Sequence, residues 1–326
     1  MKVGILGAGA YAMALSSILS DNNCSITMWT KFIEEKNNLE QYRKNENLIP
    51  NFKISSDIKI TTNLKECVEQ KDLIIIAIPV AFIDELCQNL KPYINDDNIL
   101  IASKGIEQKT GLFIDQIIKK HLNTNNIAIL SGPTFAVDIP QRKPIGLTIA
   151  TKSINIREII DTIFINDYTK IQYVEDIIGV ELCGSIKNVF SIASGILEGL
   201  NCNESAMALF LNECLYHLQD ILEIFHGERN TALSYAGIGD LILTCTSKKS
   251  RNYTLGYLIG SNKPKKEIEE YINNTTTEGY YTLISIKEIL TKKNITFLII
   301  DIIYDIILND KEAKELLKFI VKNNFS

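Results

Sequence analysis

The sequence predicts two domains: a doubly wound α/β domain followed by an all-α domain. Short apolar runs alternate with helical patterns from Lys2 to Val174, and a glycine-rich turn joins the first run to the first helix. Beyond Val174 helical periodicity dominates. Alternation of strands and helices is typical of a mostly parallel sheet covered on both faces. We therefore expect domains at residues 1–176 and 177–326.

The composition is that of an ordinary globular protein in a reducing compartment. Of 326 residues 46% are hydrophobic and 22% are charged, and the net charge is −5, so no global basic field favours nucleic acid or an anionic membrane. The seven cysteines are scattered, as is typical of free thiols. The longest apolar run, Leu73 to Ile83, is too short to cross a bilayer. The first residues show no basic region followed by a hydrophobic signal core, so we expect no signal sequence. We expect a cytoplasmic protein with no nucleic-acid partner and no membrane insertion.

The first strand, Lys2 to Leu6, leads into a glycine-rich turn. Residues 7–12 read Gly-Ala-Gly-Ala-Tyr-Ala between strand and helix, which is a permitted variant of the dinucleotide fingerprint. Gly7 allows the tight turn, Gly9 lets a pyrophosphate approach the backbone, and Ala12 keeps the helix close to the strand. The N–H groups at the start of the helix would face the phosphates. The first domain is therefore predicted to be Rossmann-like and to bind a dinucleotide.

The second strand, Ser25 to Trp29, ends without the acidic residue that usually holds the ribose hydroxyl of NAD. Thr30 and Lys31 follow instead. No carboxylate at this position rejects a 2′-phosphate, and Lys31 could pair with one, so NADPH is allowed as well as NADH. Lys31 could equally be a solvated loop residue, and the sequence leaves the two cofactors open.

The remaining strand-like runs follow in order. They cover residues 58–62, 73–78, 99–103, 127–131, 146–150 and 171–174. Helical patterns at 82–90 and 112–122 separate some of them. Ligands in such sheets bind at the carboxyl ends of strands. Three turns fall there, at residues 78–80, 103–106 and 131–136.

The second domain opens with the helix that contains Lys187. Candidate helices cover residues 176–200, 204–225, 268–271, 281–290, 297–308 and 313–321. Leu182, Ile186 and Val189 lie on one apolar face of the first of these, which Lys187 interrupts. Small neighbouring residues predict close packing and a partly dry site, where burial would lower the pKa of an amine. The alternative is a surface lysine on an amphipathic helix.

A polar segment with two glycines lies at residues 236–252. It combines Asp240, several hydroxyl groups and the basic cluster Lys248-Lys249-Ser250-Arg251-Asn252. This is the composition of an anion pocket. A polar loop with solvated charges is the alternative.

Taken together, these segments closely resemble NAD(P)-dependent glycerol-3-phosphate dehydrogenase of the bacterial type, from Lys2 to about Tyr281. Eight motifs carry the resemblance: the residue 7 loop with Tyr11, SKG at 103–105, SGPTFA at 131–136, ELCGSIKN at 181–188, GDL at 239–241, TCTS at 244–247, SRN at 250–252 and TEG at 277–279. Each motif is weak alone. Their order makes the combination specific.

The resemblance implies reversible hydride transfer between NADH or NADPH and dihydroxyacetone phosphate, which gives sn-glycerol 3-phosphate for phospholipid synthesis. Lys187 would be the general acid, Asp240 would orient it or hold substrate oxygens, and Lys104 would touch cofactor and substrate. The implied substrate-binding residues are Lys104, Gly132, Thr134, Lys187, Asp240, Ser250, Arg251 and Asn252. The implied cofactor-binding residues, including the two fingerprint glycines, are Gly7, Gly9, Ala10, Tyr11, Lys31, Lys104, Ala136, Arg251 and Glu278.

One departure from the family concerns substrate affinity. Family members usually carry an arginine in the helix that begins near residue 204, but no Lys or Arg occurs between Lys187 and Arg229 here. Other readings therefore stay open: a related dehydrogenase acting on another 2-keto or 2-hydroxy compound, and a nucleotide sensor that has lost catalysis. No His, Cys and carboxylate spacing predicts a metal. A homodimer is possible from base rates.

Overall fold

A computed structural model describes residues 1–322 and divides the chain into two compact units. Unit 1 comprises Met1–Ser103 and Ile114–Ile177, and unit 2 comprises Lys104–Phe113 and the chain from Ile178 onward. The sequence predicts two domains that are each one uninterrupted stretch of chain, with a boundary near residue 176. The units are not continuous, because residues 104–113 pack with unit 2 although they precede much of unit 1.

Unit 1 contains an eight-stranded sheet. In chain order the strands are β1 (Lys2–Leu6), β2 (Ser25–Trp29), β3 (Lys59–Thr61), β4 (Leu73–Ile76), β5 (Ile99–Ile101), β6 (Ile127–Ser131), β7 (Ile145–Ala150) and β8 (Thr169–Val174). Their order in the sheet is β3-β2-β1-β4-β5-β6-β7-β8. Only β6 and β7 are antiparallel neighbours. The strand order reverses beside β1, which pairs with β2 on one side and with β4 on the other, the position where open α/β sheets bind ligands.

The helices of unit 1 cover the sheet. They are α1 (Ala10–Asp21), α2 (Ile33–Tyr42), α3 (Leu64–Val68), α4 (Ile83–Leu90), α5 (Ile114–His121) and α6 (Ile154–Phe164). Every residue of β4 is buried, as expected for a parallel strand with both faces covered. This sheet and the helical second unit confirm the predicted fold class.

Unit 2 is helical over most of its described length, although its Lys104–Phe113 segment contains no helix. Its helices are α7 (Ile177–Gly199), α8 (Glu204–Ile224), α9 (Asp240–Cys245), α10 (Arg251–Gly260), α11 (Lys265–Asn274), α12 (Glu278–Lys292), α13 (Leu298–Leu308) and α14 (Glu315–Lys322). A single π-helical turn, Tyr235–Gly239, leads directly into α9. The polar-loop alternative is therefore wrong for residues 236–245, which are helical, whereas Lys248 and Lys249 are exposed in a turn before α10.

Helices α7 and α10 approach backbone to backbone. A Cβ atom on Gly256 would lie 2.8 Å from the carbonyl carbon of Ile192, and one on Gly195 would lie 2.8 Å from the amide nitrogen of Tyr257. Both distances are shorter than real Cβ contacts, so glycine is needed on each helix. The small residues of α7 thus allow the close packing that the sequence predicts.

Helix α7 is also the one helix among residues 1–322 that is long and apolar enough to cross a bilayer by length and composition. Of its apolar window, 89% is buried inside the protein. A buried core helix passes the same test, so this is weak evidence for a membrane span.

Candidate active site

Lys187 lies in the middle of α7 and is buried, with only 9% of its side chain exposed. Its ammonium donates hydrogen bonds to Asp240 Oδ1 at 2.5 Å and to Thr244 Oγ1 at 2.8 Å. Burial lowers the pKa of Lys187 to about 8; the charge of Asp240 opposes this shift, and the charge of Lys104 adds to it. The surface-lysine alternative is therefore wrong.

Asp240 is the first residue of α9 and is fully buried. It holds Lys187 through Oδ1 and Lys104 through Oδ2, the latter at 2.8 Å. Thr244, one helical turn later, donates to Oδ1 at 3.2 Å. Burial acts to raise the pKa of Asp240, but the two lysines outweigh it and hold that pKa below its usual value. Two ammonium groups and one carboxylate give this cluster a net charge of +1.

The Lys104 segment is anchored to α7. The backbone N–H of Gly105 donates to Ser185 Oγ at 3.1 Å, and Ser185 in turn donates to the carbonyl of Glu181 at 2.8 Å. Both hydrogen bonds are buried. They fix the backbone from which Lys104 reaches Asp240.

A second chain of hydroxyl groups leads from the cluster to the start of α10. Ser191 donates to the carbonyl of Thr244 at 2.8 Å and shares a 3.0 Å hydrogen bond with Ser250. Ser250 caps α10 by accepting from the N–H of Tyr253 at 3.3 Å. Arg251 follows as the first residue of the helix. A helix start with free N–H groups and an arginine is suited to bind an anion.

Asn252 joins α10 to the start of α12. Its Oδ1 accepts a 3.0 Å hydrogen bond from the N–H of Gly279. The neighbouring Glu278 opens α12; burial raises its pKa, whereas the charges of Arg251, Lys104 and Lys187 act to lower it. The electrostatic coupling places Glu278 among the charges of this site.

Unit 1 contains a separate cavity of about 480 Å³ at the carboxyl ends of β1, β2 and β4. The turn after β1 forms part of its wall. Gly7 has φ +127°, and a Cβ atom there would lie 2.5 Å from the carbonyl oxygen of Ala77, so the turn needs glycine. A Cβ atom on Gly9 would meet nothing within 4 Å, so a ligand can approach the backbone at the start of α1. The cavity has the size of a small-molecule site.

Tyr11, in the first turn of α1, reaches the segment that follows β6. Its hydroxyl shares a 3.2 Å hydrogen bond with the hydroxyl of Thr134. Gly132 lies in the same segment, and a Cβ atom there would lie 2.6 Å from the carbonyl oxygen of Gly146. The fingerprint turn and the 131–136 motif are therefore neighbours within unit 1.

Two family models match the chain, one described as the N-terminus of NAD-dependent glycerol-3-phosphate dehydrogenase, over residues 2–157, and one as its C-terminus, over residues 176–318. The protein named glycerol-3-phosphate dehydrogenase [NAD(P)+] in Staphylococcus carnosus is 31% identical over 98% of this chain and 97% of its own length. The chain belongs to the NAD-dependent glycerol-3-phosphate dehydrogenase family. Its Fusobacterium nucleatum relative of the same name is 31% identical over 97% of this chain and 95% of its own.

The fold agrees with that of a solved member. The crystal structure of glycerol-3-phosphate dehydrogenase from Coxiella burnetii superposes with a TM-score of 0.91 at 26% identity and covers 99% of both chains. As a member of this family, the chain is an NAD(P)-dependent oxidoreductase. Among residues 1–322 no group of three or more His, Cys, Asp and Glu side chains is placed to hold a metal ion.

The structure brings many of the family residues together within each unit. In unit 2, Lys104, Lys187 and Asp240 form one cluster. Ser250 is linked to it through Ser191, and Asn252 follows Ser250 in the first turn of α10. In unit 1, Gly7, Gly9 and Lys31 line the cavity, and Tyr11 contacts Thr134. Ala10 and Ala136 pack against the core of unit 1.

Sequence reasoning missed three hydroxyl side chains whose hydrogen bonds surround the Lys187 cluster, those of Thr244, Ser191 and Ser185. Thr244 could have been found, because a threonine four residues after Asp240 lies on the same helical face. It also missed two carboxylates, Glu35 and Glu85, that line the cavity beside Lys31. The inference that no carboxylate opposes a 2′-phosphate considered only the residues directly after β2.

Proposed function

We propose that this chain catalyses the reversible NAD(P)H-dependent reduction of dihydroxyacetone phosphate to sn-glycerol 3-phosphate, with Lys187 as the general acid. The observation that carries the proposal is the buried Lys187 ammonium, with its pKa lowered to about 8 and its position fixed by Asp240. A general acid works best when its pKa lies near the working pH. The names of the family relatives supply the reaction and the substrate.

Each residue of the cluster has a distinct task in this reaction. Reduced nicotinamide, when bound, supplies the hydride to the carbonyl carbon. Lys187 donates the proton to the carbonyl oxygen and becomes a neutral amine, which then regains a proton from solvent. Asp240 and Thr244 hold the ammonium in place. Lys104 and Lys187 stabilise the negative charge that develops on the oxygen, and in the reverse reaction the neutral amine accepts the hydroxyl proton.

The substrate phosphate would bind at the start of α10. Ser250, Arg251 and Asn252 would hold it, with the planar guanidinium of Arg251 able to bind two oxygens at once. The nucleotide would be held by the Gly7 to Tyr11 turn and the cavity of unit 1. We further propose that the product supplies glycerophospholipid synthesis in the cytoplasm. A homodimer remains a prediction.

The test is the loss of reduced-nicotinamide fluorescence when dihydroxyacetone phosphate is added to the purified protein, with NADH and NADPH in parallel. Lys187→Met keeps an unbranched apolar stem of similar length but removes the acid, so turnover should fall by about 10²- to 10⁴-fold. Nucleotide binding, measured by calorimetry, should remain. Undiminished turnover would refute the role of Lys187. A carboxylate-bearing 2-keto acid preferred over dihydroxyacetone phosphate would refute the substrate.

A further inference from the structure

The cavity of unit 1 carries three charged side chains at the carboxyl end of β2. Lys31 and Glu85 form an ion pair with 2.8 Å between Nζ and Oε1. Glu35, in the first turn of α2, accepts a hydrogen bond from the hydroxyl of Thr30. All three line the cavity. Thr30 is itself only 2% exposed, so it provides a fixed anchor for Glu35.

Thr30 lies at the position where the ribose-binding acid of a dinucleotide site is normally found. Thr30 directly follows β2, where dinucleotide-binding sheets usually place the acid that holds the ribose 2′-hydroxyl. Here the carboxylate comes from α2 instead and is held against the residue at that position. The backbone N–H of Phe32 donates to Thr30 Oγ1 at 3.2 Å, which further fixes the turn between β2 and α2.

The local charge opposes a 2′-phosphate. One ammonium and two carboxylates leave a net charge of −1 among these three side chains, and a phosphate monoester carries about −1.5 to −2 at pH 7. Lys31 is the one cation among the described residues that line this cavity, and it is already paired with Glu85. A 2′-phosphate would have to displace Glu85 from Lys31 and approach Glu35 as well.

We infer that this chain prefers NADH to NADPH because Glu35 replaces the missing strand-end acid at the ribose 2′-hydroxyl and Glu85 neutralises Lys31. The inference rests on the nucleotide site of the proposed function. It assigns to this chain a discrimination between NADH and NADPH that the names of its relatives, with their NAD(P)+, leave open.

Calorimetric binding of ADP-ribose and 2′-phospho-ADP-ribose tests this inference without turnover. The wild-type protein should bind ADP-ribose at least about tenfold more tightly, a difference that charge repulsion at this range can supply. The ratio should narrow as the salt concentration rises, because these side chains are partly solvated. Glu85→Gln frees Lys31 and should tighten binding of the 2′-phosphate ligand. Glu35→Gln should weaken ADP-ribose binding as well as narrow the ratio.

Glu34→Gln is the matched control, because Glu34 is an exposed neighbour of Glu35 in the same helical turn and does not line the cavity. It removes the same charge and should leave the ratio unchanged. Equal or tighter wild-type binding of the 2′-phosphate ligand would overturn the inference. The inference would also be overturned if Glu35→Gln and Glu85→Gln left the ratio of the two affinities unchanged. The same holds if Glu34→Gln narrowed this ratio as much as those two substitutions do. Binding of neither ligand would overturn it together with the nucleotide site, whereas failure to reduce dihydroxyacetone phosphate would count against the proposed function alone.

Discussion

The acidity of Lys187 results mainly from its burial and is modified by two charged neighbours that also contact each other. Burial lowers its pKa most, the charge of Asp240 raises it, and the charge of Lys104 lowers it. Because Asp240 binds both lysines, it links the protonation of the proposed acid to a second cation. The cluster can therefore hold a proton ready for transfer while presenting a net positive charge to a developing oxyanion.

This arrangement predicts two pH profiles that move in opposite directions. In the wild-type protein kcat/KM for reduction should fall as pH rises through about 8, since only the ammonium donates a proton. Asp240→Asn removes a charge that raises the pKa of Lys187, so the fall should begin at lower pH. Lys104→Met removes a charge that lowers it, so the fall should begin at higher pH.

The control for this pair is a substitution of an exposed ion pair in the same unit. Lys265 pairs with Asp310 at 3.2 Å, with most of both side chains exposed, and Lys265→Met should leave the profile in place. A profile that shifts in the same direction in both cluster variants would contradict the assignment of the titrating group to Lys187.

For individual residues, the sequence predicted which side chain has unusual acidity better than it predicted which side chains lie close together. Lys187 stood out because a charged residue interrupted an apolar face, and the structure confirms its burial. Glu35 and Glu85 could not be predicted, because each reaches the end of β2 from a different helix. Such convergence depends on where α2 and α4 pack, which no local motif encodes.

Among the secondary-structure elements, the contact between helices α7 and α10 positions the proposed phosphate site. Gly195 on α7 and Gly256 on α10 let the two backbones meet, and the same contact brings Ser191 to 3.0 Å from Ser250 at the cap of α10. Any side chain inserted between the helices must separate them. Stability and substrate binding should therefore be lost together.

Two glycine-to-alanine substitutions separate packing from ligand approach. Gly256→Ala should destabilise the protein by about 1–3 kcal/mol through overpacking and raise KM for dihydroxyacetone phosphate, because the start of α10 moves.

Gly9→Ala places a methyl group that meets no neighbour within 4 Å, so the stability of the protein should be unchanged while its nucleotide affinity falls. Thermal unfolding and calorimetry measure the two effects. Gly256→Ala with unchanged stability and KM would show that the helices can separate without cost.

The elements themselves were predictable where the periodicity was strong. The predicted strands at 2–6, 25–29 and 127–131 coincide with β1, β2 and β6, and the other five differ from the structure by up to two residues at an end. Helix α2 was not predicted, because Leu39 is its only buried residue and its polar sequence carries little helical periodicity. Helix α9 was obscured by hydroxyl groups and glycines that usually indicate a loop.

At the scale of the whole molecule, the division into units departs from the order of the sequence. Residues 104–113 lie between two strands of unit 1 in the chain but pack with unit 2. The sequence could not reveal that the segment packs with unit 2. A strand-like run at 99–103 precedes it and a helical pattern at 112–122 follows it, so it resembles an ordinary connection within the α/β domain. As a result, Lys104 lies in the same cluster as Lys187 and Asp240.

The anchor of this segment can be tested by hydrogen exchange. Ser185→Ala removes the hydroxyl that accepts from the buried N–H of Gly105, and an unpaired buried donor costs about 1–3 kcal/mol. Exchange within residues 104–113 should become faster, and turnover should fall because the backbone that carries Lys104 is loosened. Peptides from α5, which begins one residue later but belongs to unit 1, should exchange as in the wild-type protein.

Ser17→Ala is the matched control in unit 1, because the hydroxyl of Ser17 bonds only to a backbone carbonyl of its own helix, at 2.7 Å. It should leave the exchange of residues 104–113 unchanged. If Ser185→Ala instead sped exchange equally in residues 104–113 and in α5, the segment would open as part of unit 1. The position of Lys104 would then depend on the sheet and not on α7, and its grouping with Lys187 and Asp240 would have to be abandoned.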